Sequence, residues 1–176
     1  TNLDQFATGL VGVRSPYGAP LNAVDQLIVP GGSSSGSAVS VGHGIVSFSL
    51  GTDTAGSGRV PAALNNIVGL KPSLGSLSSS GVVPACRTID TVSVFAMTVE
   101  DAYNVFTILN EYDEKDSYSK SFKKLPLSLP QHPIKIGIPD KSSIRFFNDN
   151  FQSESFDRNI NKLKLNDFEI TPINFE

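Results

Sequence analysis

The chain has 176 residues, 39% of them hydrophobic and 18% charged, a balance that fits one globular domain able to bury a core and excludes a disordered chain. A formal net charge of −3, with Lys and Arg spread among acidic residues, leaves no basic patch for nucleic acid or for an anionic membrane surface. The single Cys86 has no internal disulfide partner, and neither a leader-like segment nor an apolar run near 18 residues occurs, so a reducing, cytoplasmic setting is expected.

From Thr1 to about Gly81 the chain is rich in Gly, Ser, Thr and Ala and poor in Lys. Within that part, GGSSSGSAVSVGHGIVSFSLGTDTAGSGR (Gly31 to Arg59) joins two Gly- and hydroxyl-rich loops through a run that reads first as a helix and then as a strand. The small, Ala/Val-rich stretch Ser37 to Gly44 predicts a buried helix beginning just after the Ser-rich turn, and IVSFSLG alternates apolar and hydroxyl residues as a strand does. Amides at such a helix start lack intrahelical partners and lie at the positive end of the dipole, so this loop is expected to favour negative charge nearby. The second loop, GTDTAGSGRVPAALNN, leads into another helix with Pro61 in its first turn. Its amides from Thr54 to Ser57 form a fan able to converge on one oxygen.

Farther along, Glu100 and Asp101 suit the first turn of a helix in VEDAYNVFTIL, whose Ala102, Val105, Phe106 and Leu109 are expected to face inward. From Glu111 the chain becomes charged, and EYDEKDSYSKSFKK followed by LPLSLPQHP reads as an exposed connection. IKIGIP suits a strand. NDNFQSESFDRNINKLKLN places Phe151, Phe156, Ile160 and Leu163 at helical intervals, and FEITPINF is a further strand. Strand, helix, strand in that order implies a crossover unit and an α/β fold. The expected organisation is a core segment over 1–110, an exposed connection over 111–133, and the start of a βαβ part of the same domain over 134–176.

Two such loops suit acyl transfer, which needs a nucleophilic oxygen, an acceptor for its proton, and donors aimed at the developing oxyanion. Serine alone is a poor nucleophile at neutral pH. Of the two histidines that could act as base, His43 falls within the predicted apolar helix, where a core or helix-end residue is the simpler reading, and His132 falls between prolines. A phosphate cradle is the competing enzyme reading of GGSSSGS, but the Lys-Ser/Thr pair of a P-loop and the dinucleotide-binding glycine spacing are both missing. His43, His132 and Cys86 share no metal-ligand spacing, so neither a metal nor another cofactor is expected.

The segments TNLDQFATG, VPGGSSSGSA, GTDTAGSGRVPAALNNIVGLKPSLG and GVVPACRTIDTVSVFAMTVEDA together resemble the amidase signature family, almost without a gap from Thr1 to about Leu109. Within that family, TNLDQFATGLVGVRSPYG and VVPACRTID are most similar to the allophanate hydrolase branch, including the amidase part of fungal urea amidolyases. The resemblance implies the amidase-signature fold, a mixed sheet covered by helices and present here as an incomplete portion. It implies hydrolysis of a carboxamide by a serine, cis-serine and lysine triad.

Residue by residue, Ser57 in DTAGS matches the nucleophile and Ser33, 24 positions earlier, matches the cis-serine that relays its proton. The amides of Thr54, Ala55, Gly56 and Ser57 match the oxyanion hole. Asp53 and Arg59 match residues bracing the nucleophile loop, and Ser34 is a supporting hydroxyl beside the relay. Gly31, Gly32 and Arg87 in PACRTID are the substrate-binding candidates, with a bracing charge as the alternative for Arg87. Ser35, Ser37, Ser40 and the Ser76 to Ser80 run are expected to be helix-face or turn hydroxyls.

No lysine precedes Ser33, and the first, Lys71, falls in a segment that the family shares as a structural strand and turn. The expectation is therefore a segment of a larger enzyme whose lysine lies outside this chain, the segment alone being inactive or nearly so. The competing non-enzyme reading is an accessory protein on an amidase-like scaffold. The substrate implied is a small amide, allophanate, cleaved to ammonia and carbon dioxide. The partners implied are a second copy in a homodimer and a biotin-dependent urea carboxylase, fused or separate, with no nucleic acid and no membrane.

Overall fold

The computed structural model describes residues 1–128 and 133–175 and is mixed α/β, with two compact units, Thr1–Leu127 and Ser128–Glu176. The first unit holds a three-stranded antiparallel sheet of order β1-β3-β2, formed by β1 (Phe48–Asp53), β2 (Val68–Leu70) and β3 (Thr91–Ala96). Helices α1 (Ser35–Gly42), α2 (Arg59–Leu64) and α3 (Val99–Leu109) pack on it. Asp53 lies opposite Thr91 and Phe48 opposite Ala96, so β1 and β3 run in register along their whole length.

The alternation of β3 explains how one strand serves both faces of the sheet. Phe95, fully buried, packs with Ala38 and Val41 of α1 and Ala62 of α2. Val94 and Ala96 point the other way and pack with Leu77 and Ala102 of α3, flanked by Val92, Val105 and Phe106. The helix α1 can lie this close because its facing strand offers Gly51, where a Cβ would meet Ser34 Oγ at 2.6 Å and the Phe95 ring at 2.7 Å. Serines at the same seam are bonded rather than stranded: Ser37 Oγ donates to Leu50 O at 2.8 Å, and Ser49 Oγ donates to Ser37 O at 2.7 Å.

Several local expectations are met and several shift. Helix α1 begins at Ser35, two residues before the predicted start, and β1 begins at Phe48, because Gly44 takes φ +67 and turns the chain. His43 is exposed at the C-terminal cap of α1. Helix α3 is capped by Thr98, which accepts from Asp101 N, and buries Ala102 with Val105 and Phe106 half-buried. Leu109 is exposed, contrary to expectation: one turn past Phe106 the helix ends at Asn110 and has run beyond the sheet it covers. The strand over Thr91–Ala96, the centre of the sheet, is not among the elements that the sequence pattern predicts.

Residues 111–127 belong to the first unit. Ser78 Oγ donates to Asp113 Oδ2, and Ser79 donates through both N and Oγ to Asp116 Oδ2. The second unit holds the expected crossover: β4 (Ile134–Pro139), α4 (Asn150–Leu165) and β5 (Phe168–Ile173), with β4 and β5 parallel. In α4, Phe156, Ile160 and Leu163 are half-buried, whereas Phe151 is exposed in the first turn, where Arg158 lies over its ring. His132 lies outside the described residues. Among those described, no helix is long and apolar enough to cross a membrane.

Because Phe95 joins α1 and α2 to the sheet, Phe95→Ala is expected to cost about 3–5 kcal/mol. The measurement is the urea midpoint of unfolding, which should fall sharply, whereas a change of the exposed Ile108 to Ala should leave it nearly unmoved.

Candidate active site

Two loops meet at the edge where β1 ends. The first carries Gly31, Gly32, Ser33 and Ser34 into α1, and the second carries Asp53 through Ser57 from β1 into α2. Ser34 N donates to Ser57 O at 3.3 Å, so the two loops are joined directly beside both candidate serines. Ser33 is 2% exposed and Ser57 3% exposed. Ser34 Oγ accepts from Thr52 N at 3.0 Å and donates to Thr52 O at 3.2 Å, which locks the first turn of α1 to the end of β1.

The peptide bond between Gly32 and Ser33 is cis. What surrounds it is specific. Ser33 O accepts from Asp4 N at 2.9 Å, Gly31 N donates to Val11 O at 3.1 Å, and Gly32 N donates to Leu10 O at 2.9 Å. The fully buried Asp4 carboxylate accepts from Gly12 N and Arg14 N at 2.9 and 2.8 Å, folding 4–14 against the serine loop. A Cβ on Gly32 would collide with Asp4 Oδ2 and sit 2.7 Å from Gly12 N, so only glycine fits there. These bonds also revise one expectation: the amides of Gly31, Gly32 and Ser34 are spent on backbone carbonyls and do not form an open anion cradle.

The second loop is organised by Asp53, whose side chain is fully buried. Its Oδ1 accepts from Gly56 N at 2.8 Å and Arg59 Nη2 at 3.0 Å. Its Oδ2 accepts from Gly58 N at 3.1 Å, Arg59 N at 3.2 Å and Arg59 Nε at 2.9 Å. Burial by itself raises the Asp53 carboxyl, but the Arg59 side chain and the N–H groups of Arg59, Gly58 and Gly56 outweigh it and hold it below its ordinary value. Asp53 and Arg59 thus brace the loop. Gly56 is engaged within the loop, while Ala55 is exposed and Thr54 half-buried.

Thr54 Oγ1 donates to Asp90 Oδ1, a contact that ties the loop to the turn carrying Arg87. Arg87 itself is exposed on that turn, three residues from Asp90. Lys71 Nζ donates to Pro72 O at 3.2 Å, next to it in sequence, which is a local bracing contact. Ser35 Oγ donates to Asn2 O and Ser40 Oγ to Ser37 O, so these hydroxyls serve backbone carbonyls. Among the described residues, no group of three or more His, Cys, Asp or Glu side chains is placed to hold a metal ion.

Four residues that shape the site escaped sequence reasoning: Asp4, Asn22, Asn65 and Asp90. Asn65 Nδ2 donates to Pro30 O at 2.7 Å and Pro61 O at 2.8 Å while its Oδ1 accepts from Ala23 N at 2.9 Å. Asn22 Nδ2 donates to Leu64 O at 2.9 Å and Val29 O at 3.1 Å. Both fasten the segment before Gly31 to the end of α2. The available signal was only the pair of asparagines closing the helix in AALNN, a residue type whose side chain bonds readily to nearby backbone.

The Asp53 arrangement sets a pH dependence. A carboxyl held low in the folded state contributes stability that is fully present above its unfolded value of about 3.9 and is lost as pH falls below it. The unfolding free-energy difference between wild type and Asp53→Asn should therefore be largest near neutrality and shrink below about pH 4. Asp113 and Asp116 shift in the same direction, so it is this difference, measured by denaturation at several pH values, that isolates Asp53.

Comparison with known proteins fits this geometry. The family profile described as Amidase matches residues 1–176. The urea amidolyase of Lachancea kluyveri is 49% identical over 177 aligned positions, which span all of this chain and 10% of that protein. A glutamyl-tRNA(Gln) amidotransferase subunit from Streptococcus thermophilus is 44% identical over 137, covering 78% of this chain and 27% of that one. Among solved structures, a serine-to-alanine variant of the Kluyveromyces lactis allophanate hydrolase superposes with a TM-score of 0.93 at 48% identity, over 100% of this chain and 28% of that chain. The chain thus spans about a tenth of the urea amidolyase and about a quarter of the allophanate hydrolase structure. Matched along its whole length by the family profile, and by relatives of this identity, the chain belongs to the amidase family.

Proposed function

We propose that this chain carries the nucleophile and proton relay of an amide hydrolase acting on allophanate, with Ser57 attacking the carboxamide carbon and Ser33 taking its proton. The observation that carries this reading is the Ser34 N–H to Ser57 carbonyl bond, which fastens the two serine loops together next to two buried hydroxyl residues. The 48–49% identity to an allophanate hydrolase and a urea amidolyase supports the substrate class.

In this reading the Ser57 oxygen bonds to the acyl carbon as its proton passes to Ser33, and the carbonyl oxygen becomes an oxyanion. The amides of Thr54, Ala55 and Ser57 stabilise that oxyanion, while Gly56 holds the loop through Asp53. The proton returns through Ser33 to the leaving nitrogen as the carbon–nitrogen bond breaks and ammonia departs. Water then adds to the acyl-enzyme and releases Ser57. The lysine that draws the proton from Ser33 is supplied by sequence outside this chain. Arg87, on the turn that Asp90 ties to this loop, and Gly31 and Gly32 of the relay loop are the proposed substrate-binding residues, although the Arg87 charge also acts on Asp116.

The same reading joins the activity to a biotin-dependent urea carboxylase, in one polypeptide or as a partner, in a homodimeric and cytoplasmic protein where the exposed Cys86 stays reduced. The carboxylase forms the allophanate that this site consumes.

The complete protein bearing this chain should release ammonia from allophanate. Ser57→Ala and Ser33→Ala should each lower kcat by about a thousandfold or more, and Ser57→Ala should abolish labelling by a fluorophosphonate. Equal or faster turnover of malonamide or a fatty amide would remove allophanate as the substrate. A folded protein that neither labels nor turns over any amide would point to the accessory-scaffold reading.

A further inference from the structure

Asp90 sits between the candidate oxyanion loop and the turn that carries Arg87, and its two carboxylate oxygens are divided between them. Oδ1 accepts from Thr54 Oγ1. Oδ2 accepts from Ala85 N at 2.9 Å and Cys86 N at 2.8 Å. The turn is closed as well by Ile89 N and Asp90 N, both donating to Cys86 O at 3.0 and 2.9 Å. The carboxylate is therefore held still by its own turn, which is the condition for it to hold something else.

What it holds is one peptide unit. Thr91 Oγ1 donates to Asp53 O at 2.9 Å, a fully buried bond. A trans peptide is planar, with its C=O and N–H pointing in opposite directions, so fixing the Asp53 carbonyl fixes the direction of the Thr54 N–H. Thr91 thus grips that unit at its carbonyl and Asp90 grips it at the Thr54 side chain. Asp90, the last residue before β3, and Thr91, its first, set the orientation of the first amide in the loop. The Asp53 carboxylate braces the same loop from beneath through Gly56, Gly58 and Arg59, and none of those bonds reaches Thr54. The Thr54 amide is thus oriented from the start of β3 and the turn that precedes it.

We infer that Asp90 is a positioning residue for hydrolysis, acting through Thr54 to aim its amide at the transition-state oxyanion; this rests on the amidase reading above. An amide aimed at charge that develops only in the transition state acts on kcat rather than on KM.

The test is a double-mutant cycle in the complete protein. Asp90→Ala and Thr54→Val are each expected to lower kcat on the order of a hundredfold, with KM within about threefold of wild type. The double variant should be no worse than either single by more than about threefold, since both remove one interaction. Rates are referred to folded protein by circular dichroism and thermal midpoint. If Asp90→Ala does not fold, Asp90→Asn, which keeps one acceptor oxygen, should still lose at least about tenfold in kcat. A kcat near wild type, a loss that appears in KM alone, or single losses that multiply in the double variant would each overturn the inference and leave the hydrolase standing. Absence of Ser57-dependent turnover in the wild-type protein overturns the hydrolase reading itself, and the inference with it, before any Asp90 variant is needed.

Discussion

The site depends on one buried charge, the Asp53 carboxylate. An ionised carboxylate removed from water costs several kcal/mol unless its lone pairs are met. Here five N–H groups meet them, two on one oxygen and three on the other, and all come from the six residues that follow. A loop that must deliver Gly56, Gly58 and Arg59 to one carboxylate has little freedom left, so Ser57, between two of those donors, is placed by its neighbours. Arg59 contributes as a two-pronged donor whose far side is more than half exposed, so its charge stays partly hydrated while its fork closes on Asp53.

The serine loop uses the same device with different donors. Asp4 gathers Gly12 N and Arg14 N on its buried carboxylate and donates its own N–H to Ser33 O, so the chain ahead of the loop is folded back onto it. Both loops, then, are shaped by an aspartate that satisfies backbone amides over a short span. Glycine is needed wherever such spans cross. A Cβ on Gly12 would collide with Gly31 O, and one on Gly58 would lie 2.7 Å from Ser93 Oγ on β3. The Gly-rich composition is the steric counterpart of the two carboxylates.

The sequence showed what its local chemistry controls. The order helix then strand across Gly31 to Arg59 and the crossover from Ile134 to Ile173 were legible, because period and turn residues act over a few residues, whereas the bracing pair Asp53 and Arg59 was implied by the resemblance to the family. The resemblance to the family placed the two serines on facing loops. What was not legible came from distant partners. β3 reads TVSVFA, a short run without clear alternation, because it is buried on both faces as a central strand. Leu109 fits the helical stripe of α3 but lies past the sheet that the stripe covers. Asp4, Asn65 and Asp90 look like ordinary polar residues until folding brings Gly12 N, Ala23 N and the Thr54 hydroxyl, 8, 42 and 36 positions away, within their reach.

Hydroxyl residues are abundant around the site, and many of them hold it together. Ser34, Ser35, Ser37, Ser40, Ser49 and Thr91 each donate to a main-chain carbonyl. Thr54 donates to a carboxylate. A hydroxyl so engaged has its proton directed at a fixed acceptor, and attack on a carbonyl carbon would first require that bond to break, at a cost of order 1 kcal/mol net and more inside a protein. A nucleophile and its relay are therefore best drawn from the hydroxyls left out of the scaffold. Ser33 and Ser57 are buried in the two loops and are fastened there through main-chain oxygens, Ser33 O accepting from Asp4 N and Ser57 O from Ser34 N.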